Sequence, residues 1–112
     1  MGVDILTDYN GMLFVYENPR LVNIWMNKTK IPLDIIFIDN TKKIRSIKQG
    51  VPNTQKLISS EIDVMAVLEL PKDCAKKLKI RIGDKINWVF KGLSEIKNIG
   101  YYHCLEAKEK IE

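Results

Sequence analysis

Trp25, Asn27, Thr29 and Asp34 lie within one run, IWMNKTKIPLDIIFID, residues 24–39. An indole offers a flat apolar surface with one N–H donor. An amide and a hydroxyl offer directed hydrogen bonds, and a carboxylate orients polar groups. Together these are the groups with which a groove holds a sugar or another polar small molecule. Pro52 and Thr54, in a turn-rich stretch after Gly50, would supply the facing wall. Each residue also has a plain structural role open to it. Trp25 can plug the end of a small β fold. Asp34, an acid inside PLDIIFI, is costly unless hydrogen-bonded or paired. It can meet that need with backbone N–H groups of residues 30–32, or with a lysine or arginine.

Other chemistries are less well provided for. Glycoside hydrolysis by two carboxylates would need a second acid about 5–10 Å from Asp34 across a cleft. Asp39, Glu61, Asp63 and Glu69 are the available partners. Thr54, Ser59 and Ser60 carry hydroxyls, but the one histidine, His103, sits far along the chain, so a serine hydrolase is not expected. Zinc wants three or four Cys, His or acidic ligands at suitable spacing. Two cysteines thirty positions apart, Cys74 and Cys104, do not supply them, so neither metal nor cofactor is expected. They read as two unrelated thiols rather than as a disulfide. Lys28, Lys30, Lys42, Lys43, Arg45 and Lys48 form a basic set near Trp25 that could follow a single strand of nucleic acid. The net charge of +4, from 18 basic against 14 acidic residues, is too modest to favour that over a solvated face that protects a sheet edge.

The elements that must position these residues are mostly short strands. MLFVYE, residues 12–17, follows a turn read at Asp8–Gly11 and precedes another at Asn18–Arg20. LVNIWMNK alternates: Val22, Ile24 and Met26 on one face, Leu21, Asn23, Trp25 and Asn27 on the other. LDIIFID is a continuous apolar strand to be covered on both faces. Asp39–Lys42 is a hairpin turn leading into KIRSIKQG. Gly50–Ser60 reads as a long loop, and Asp63–Leu70 as the next strand. A short helix near residues 71–79 opens on Pro71 and shares a buried face between Cys74 and Leu78. A last strand, Lys85–Phe90, follows a tight turn at Gly83-Asp84, and CLEAKEKIE at the end has helical composition. The sum is a mainly β domain, a small barrel or jelly-roll-like sandwich with one short helix. One domain of this size can bury a core without metal or disulfides. No apolar run approaches the roughly 20 residues of a membrane span, and MGVDILTDYNG has no basic leader. The chain as given reads as soluble.

GMLFVYENPR, IWMNKTKIPLDIIFID, GVPNTQKLISSE and AVLELPKDCAKKLKIRIGDKI occur in an order and spacing that resembles the DUF192 family, a small prokaryotic domain of unknown function. The resemblance runs from Met1 to about Val89, leaving residues 92–112 as a partly helical C-terminal extension to a domain of residues 1–91. It implies a β-rich domain with no established activity, often exported. Three departures stand out. The family's first strand would precede Met1, which leaves a sheet edge open to a second copy or to the C-terminal tail. Asn27-Lys28 reverses the family's Lys-Asn order. Asp73-Cys74 replaces a Gly-Trp-like pair at the helix start. The reading these features favour is a non-enzymatic binding or accessory domain for a carbohydrate or cell-envelope component. A carboxylate-based glycoside hydrolase is the alternative, as is an interaction module that pairs, with itself or another protein, through the open edge. Localisation follows the upstream segment: an exported product if a signal precedes this chain.

Overall fold

The computed structural model describes residues 10–27, 29–77, 79–86 and 99–103. Among the described residues seven strands and one helical turn follow each other along the chain. They are β1 (Asn10–Arg20), β2 (Asn23–Trp25), β3 (Leu33–Ile38), β4 (Ile44–Gly50), β5 (Leu57–Ser59), β6 (Val64–Pro71), α1 (Cys74–Lys77) and β7 (Ile99–His103). Five strands form one sheet in the order β4-β3-β6-β1-β7, and β2 pairs with β5 in a separate two-stranded sheet. Every pairing is antiparallel. The fold is therefore mainly β, with both sheets open among the described residues.

β3 explains why the core has two halves. All six of its residues are buried. Alternation sends Leu33, Ile35 and Phe37 to one face, where they pack with Met12, Val22, Ile24, Met26, Val64 and Val67. Ile36 and Ile38 go to the other face, with Leu13, Ile44, Ala66, Leu68, Leu70, Cys74 and Ile80. The β2–β5 sheet supplies Ile24 and Ile58 to the first half. The segment from α1 to Ile86 covers the second. The apolar run at β3 is continuous because both of its faces are covered.

The hairpin after β3 is held by its acid. Asp39 accepts hydrogen bonds from the Thr41 hydroxyl (2.6 Å), the Thr41 amide (2.8 Å) and the Lys43 amide (3.1 Å), and pairs with Arg45 at 3.3 Å. Burial alone would raise its pKa. The hydrogen bonds outweigh burial and hold the carboxyl below its ordinary value. Asp39 is thus occupied by its own turn.

Several elements differ from the sequence reading, each for a physical reason. Asn10 and Gly11 are strand rather than turn, because β7 pairs with them and extends β1. Asn18–Arg20 also lies within β1. The turn expected there is a shift of register between Val15 and Arg20, and Pro19, which cannot donate to a ladder, falls inside it. The expected loop at 50–60 contains β5. Pro71 ends β6 instead of opening the helix, which is a single turn from Cys74. Cys74 is disulfide-bonded and no cysteine is free among the described residues, so the expectation of two unrelated thiols is corrected; Cys104 lies outside the described residues. At the expected last strand, Lys85 makes one bridge to Lys43, and residues 87–90 lie outside the described residues. So does the end of the chain, CLEAKEKIE. The edge of β1 that the resemblance left open is occupied by the chain's own β7, with Asn10 opposite His103 and Phe14 opposite Ile99.

Candidate functional site

The alternation at residues 21–26 decides where Trp25 goes. Val22, Ile24 and Met26 are at most 5% exposed, while Leu21 and Trp25 are 49% and 45% exposed. Trp25 lies directly opposite Leu57 of β5, which is 56% exposed. In an antiparallel pair, directly opposed side chains share a face. Trp25 and Leu57 therefore form a bare apolar step on the outer surface of the two-stranded sheet. Asn23, exposed, and Asn27, half-buried, flank Trp25 along the chain. Trp25 does not plug the fold; Ile24 and Met26 do the filling.

Serine side chains fix this small sheet in place. Ser60 accepts a hydrogen bond from the Val22 amide (2.9 Å) and donates to the Ile62 carbonyl (2.7 Å). The Ser60 amide donates to the Val22 carbonyl. Ser59 caps the following turn by accepting from the Glu61 amide. These hydroxyls are occupied in turns, which a two-stranded ribbon this short needs to persist.

Beyond β2 the chain turns a corner onto the loop after β4. The Met26 carbonyl accepts from the amides of Thr29 (3.1 Å) and Asn53 (3.0 Å), and Asn53 also donates to the Thr29 carbonyl. Asn53 takes a left-handed backbone (φ 58°), which asparagine tolerates better than most residues. Gly50 leaves room for Met26: a Cβ there would sit 2.7 Å from the end of the buried Met26 side chain, which would have to shift. Pro52, half-buried, belongs to the same corner. Thr29 is fully buried, and its hydroxyl has no hydrogen-bond partner among the described residues. Thr54 donates to the Val51 carbonyl at 3.2 Å and lines a groove of about 500 Å³. Leu57, Val51, Lys48, Lys56 and Ser59 also line it.

Asp34 is elsewhere. It is 2% exposed, accepts from the Gln49 side chain (2.7 Å) and from the Ala75 amide (2.9 Å) at the start of α1. Its partners are thus not the amides of residues 30–32, and it faces the helix side of the sheet. The structure brings Trp25 close to the groove through Leu57, joins Thr29 to the Pro52 corner, and keeps Asp34 apart.

Glu69 is the residue that sequence reasoning underweighted. It is fully buried on β6 and neither carboxylate oxygen has a hydrogen-bond partner among the described residues. Burial pushes its pKa up to about 8, so the carboxyl is largely protonated at neutral pH. Glu69 lies opposite Ile35, and Asp34 lies opposite Leu70. Ile35 and Leu70 belong to different core halves, so the two acids project from opposite faces of the sheet. They do not form a pair across a cleft. The acid within VLELP was the available signal, since an unbroken apolar run of this kind marks a strand covered on both faces.

Fold and surface together define a small antiparallel β domain with an exposed tryptophan step beside a groove of mixed polar and apolar lining. The family model of DUF192, described as an uncharacterised ACR, matches residues 1–88, and the chain belongs to that family. A protein of unknown function from Novosphingobium aromaticivorans DSM 12444 is similar in structure. Its TM-score is 0.66 and its identity 35%, over 70% of this chain and 56% of that one. A protein of Sinorhizobium meliloti 1021 named a "putative transcription regulator" is similar too, with a TM-score of 0.64 and 39% identity over 67% of this chain and 59% of that one. The chain thus matches under two thirds of the length of either protein. No curated protein matches it.

Proposed function

We propose that this chain is a non-enzymatic binding domain whose contact surface is the outer face of β2 and β5 around Trp25. The ligand class is a carbohydrate or cell-envelope component. The observation that carries the reading is Trp25 itself, 45% exposed on a strand whose alternate residues are buried. Exposed apolar steps of this kind mark contact surfaces more often than single scattered residues do. An indole face beside amides suits stacking on a sugar ring with directed hydrogen bonds. In this reading Asn27 assists Trp25, and Pro52 and Thr54 form the far wall beyond Leu57. Thr29 and Asp34 hold the scaffold, Thr29 through its backbone at the corner and Asp34 by tying β3 to α1.

The test is a panel of glycans and cell-wall fragments read by tryptophan fluorescence, with Trp88→Phe as background so that the signal belongs to Trp25. Saturable changes with one class, abolished by Trp25→Ala, support the reading. A change that persists in Trp25→Ala with Trp88 intact, or none across the panel, removes it.

A further inference from the structure

We infer that the groove between β4 and β5 is a strand-addition site that takes an extended, acidic peptide segment from a partner protein. The inference does not rest on the ligand read for Trp25.

The groove lies between two sheet edges. β4 is the terminal strand of the large sheet, and β5 is one of only two strands in the small one. Among the described residues no backbone hydrogen bond joins β4 to β5. What crosses the gap is a side chain: the Lys48 ammonium of β4 donates to the Ser59 carbonyl of β5 at 2.6 Å and to Glu61 at 2.8 Å. That carbonyl therefore points away from β2 and towards β4. The lysine occupies the place that the N–H of a neighbouring strand would take. Elsewhere β4's edge is covered by backbone: residues 83–86 bond to Lys42 and Ile44, which closes its first part and leaves the part beside β5 without such cover.

Size and charge fit the occupant. Strand rise, strand spacing and sheet spacing give roughly 160 Å³ per residue of an extended strand. A groove of about 500 Å³ then takes about three residues, the length of β5. Val51 and Leu57, both more than half exposed, offer apolar contact to alternate side chains. Lys48 and Lys56 against Glu61 leave the groove lining net positive. Lys48 is already paired with Glu61 at 2.8 Å, while Lys56 has no hydrogen bond or ion pair among the described residues and is the cation open to a carboxylate. Backbone pairing supplies affinity in this mode of recognition, and the side-chain pockets supply choice.

Selection of a random heptapeptide display library on the intact protein, followed by synthesis of the enriched peptides and ¹⁵N-amide titration, tests this. The expected peptides are rich in Asp or Glu and shift the amides of residues 47–50 and 57–59. N-methylation at alternate positions should weaken them at least about tenfold, because it removes the pairing donors. Lys56→Glu, an exposed change that leaves the fold intact, should weaken them about tenfold. No enrichment over a bare surface overturns the inference. So do peptides that shift only residues around Trp25, N-methylated peptides that bind equally well, or self-association of the chain as the sole event at the groove. Loss of glycan binding with peptide binding retained would defeat the Trp25 reading alone.

Discussion

Replacing Glu69 with glutamine should change how stability depends on pH. The carboxyl has a pKa near 4.5 in the unfolded chain and about 8 when buried. Between those values the folded state holds a proton that the unfolded state has given up. Stability therefore falls as pH rises, by up to about 1.4 kcal/mol per pH unit. The contribution is fully present below pH 4.5 and lost progressively towards pH 8 and above. Over that window the total is on the order of 5 kcal/mol, a large share of what a domain of this size has. Glutamine keeps the shape and cannot ionise. Urea denaturation at intervals from pH 5 to pH 9, followed by far-ultraviolet circular dichroism, measures the effect. Wild type should lose midpoint steadily with pH at constant slope of the transition, and Glu69→Gln should lose much less. The difference between the two proteins isolates Glu69 from other titrating groups. Parallel curves for both would refute the claim that Glu69 is buried without a partner.

Three further outcomes follow from named contacts. Asp34→Ala strands the Ala75 amide and should cost about 2 kcal/mol, read by thermal melting, with Asp34→Asn costing less because its oxygen still accepts. Asp73 has a left-handed backbone (φ 70°), and the Gly-like residue of the resembled pattern falls there, so Asp73→Gly should raise stability by about 0.5–1 kcal/mol in the same assay. The native protein should show no reactive thiol to Ellman's reagent, and reduction should lower stability by about 2–4 kcal/mol, as Cys74→Ala should.

The parts of the fold that could be read from the sequence were those with a long, unambiguous period. LDIIFID could only be a strand covered on both sides, and the 21–26 alternation separated Val22, Ile24 and Met26 from Trp25, though only the structure shows the Trp25 face to be the outer one. The hairpin at Asp39–Lys42 was legible because asparagine, threonine and aspartate form such turns through their own side chains. β5 was hidden because three residues between turn formers carry no period; only pairing with β2 makes LIS a strand. β7 was equally silent, since its role depends on which edge β1 presents. The pairing of Cys74 leaves no trace in a thirty-residue spacing. At the site, residue types were visible but directions were not. Asp34 and Trp25 are close in sequence and face different parts of the molecule, because the corner at residues 26–32 turns the chain between them. The groove was invisible for the same reason: Lys48 and Ser59, which bridge it, meet only in the fold.

The most direct measurement of the central claim is the Trp25 indole N–H resonance in a ¹⁵N spectrum of the Trp88→Phe protein, titrated with the glycan and cell-wall panel. The account predicts a saturable shift of that resonance with one ligand class, accompanied by the amides of residues 23–27 and 57. A ligand that binds while the Trp25 indole stays unmoved would contradict it.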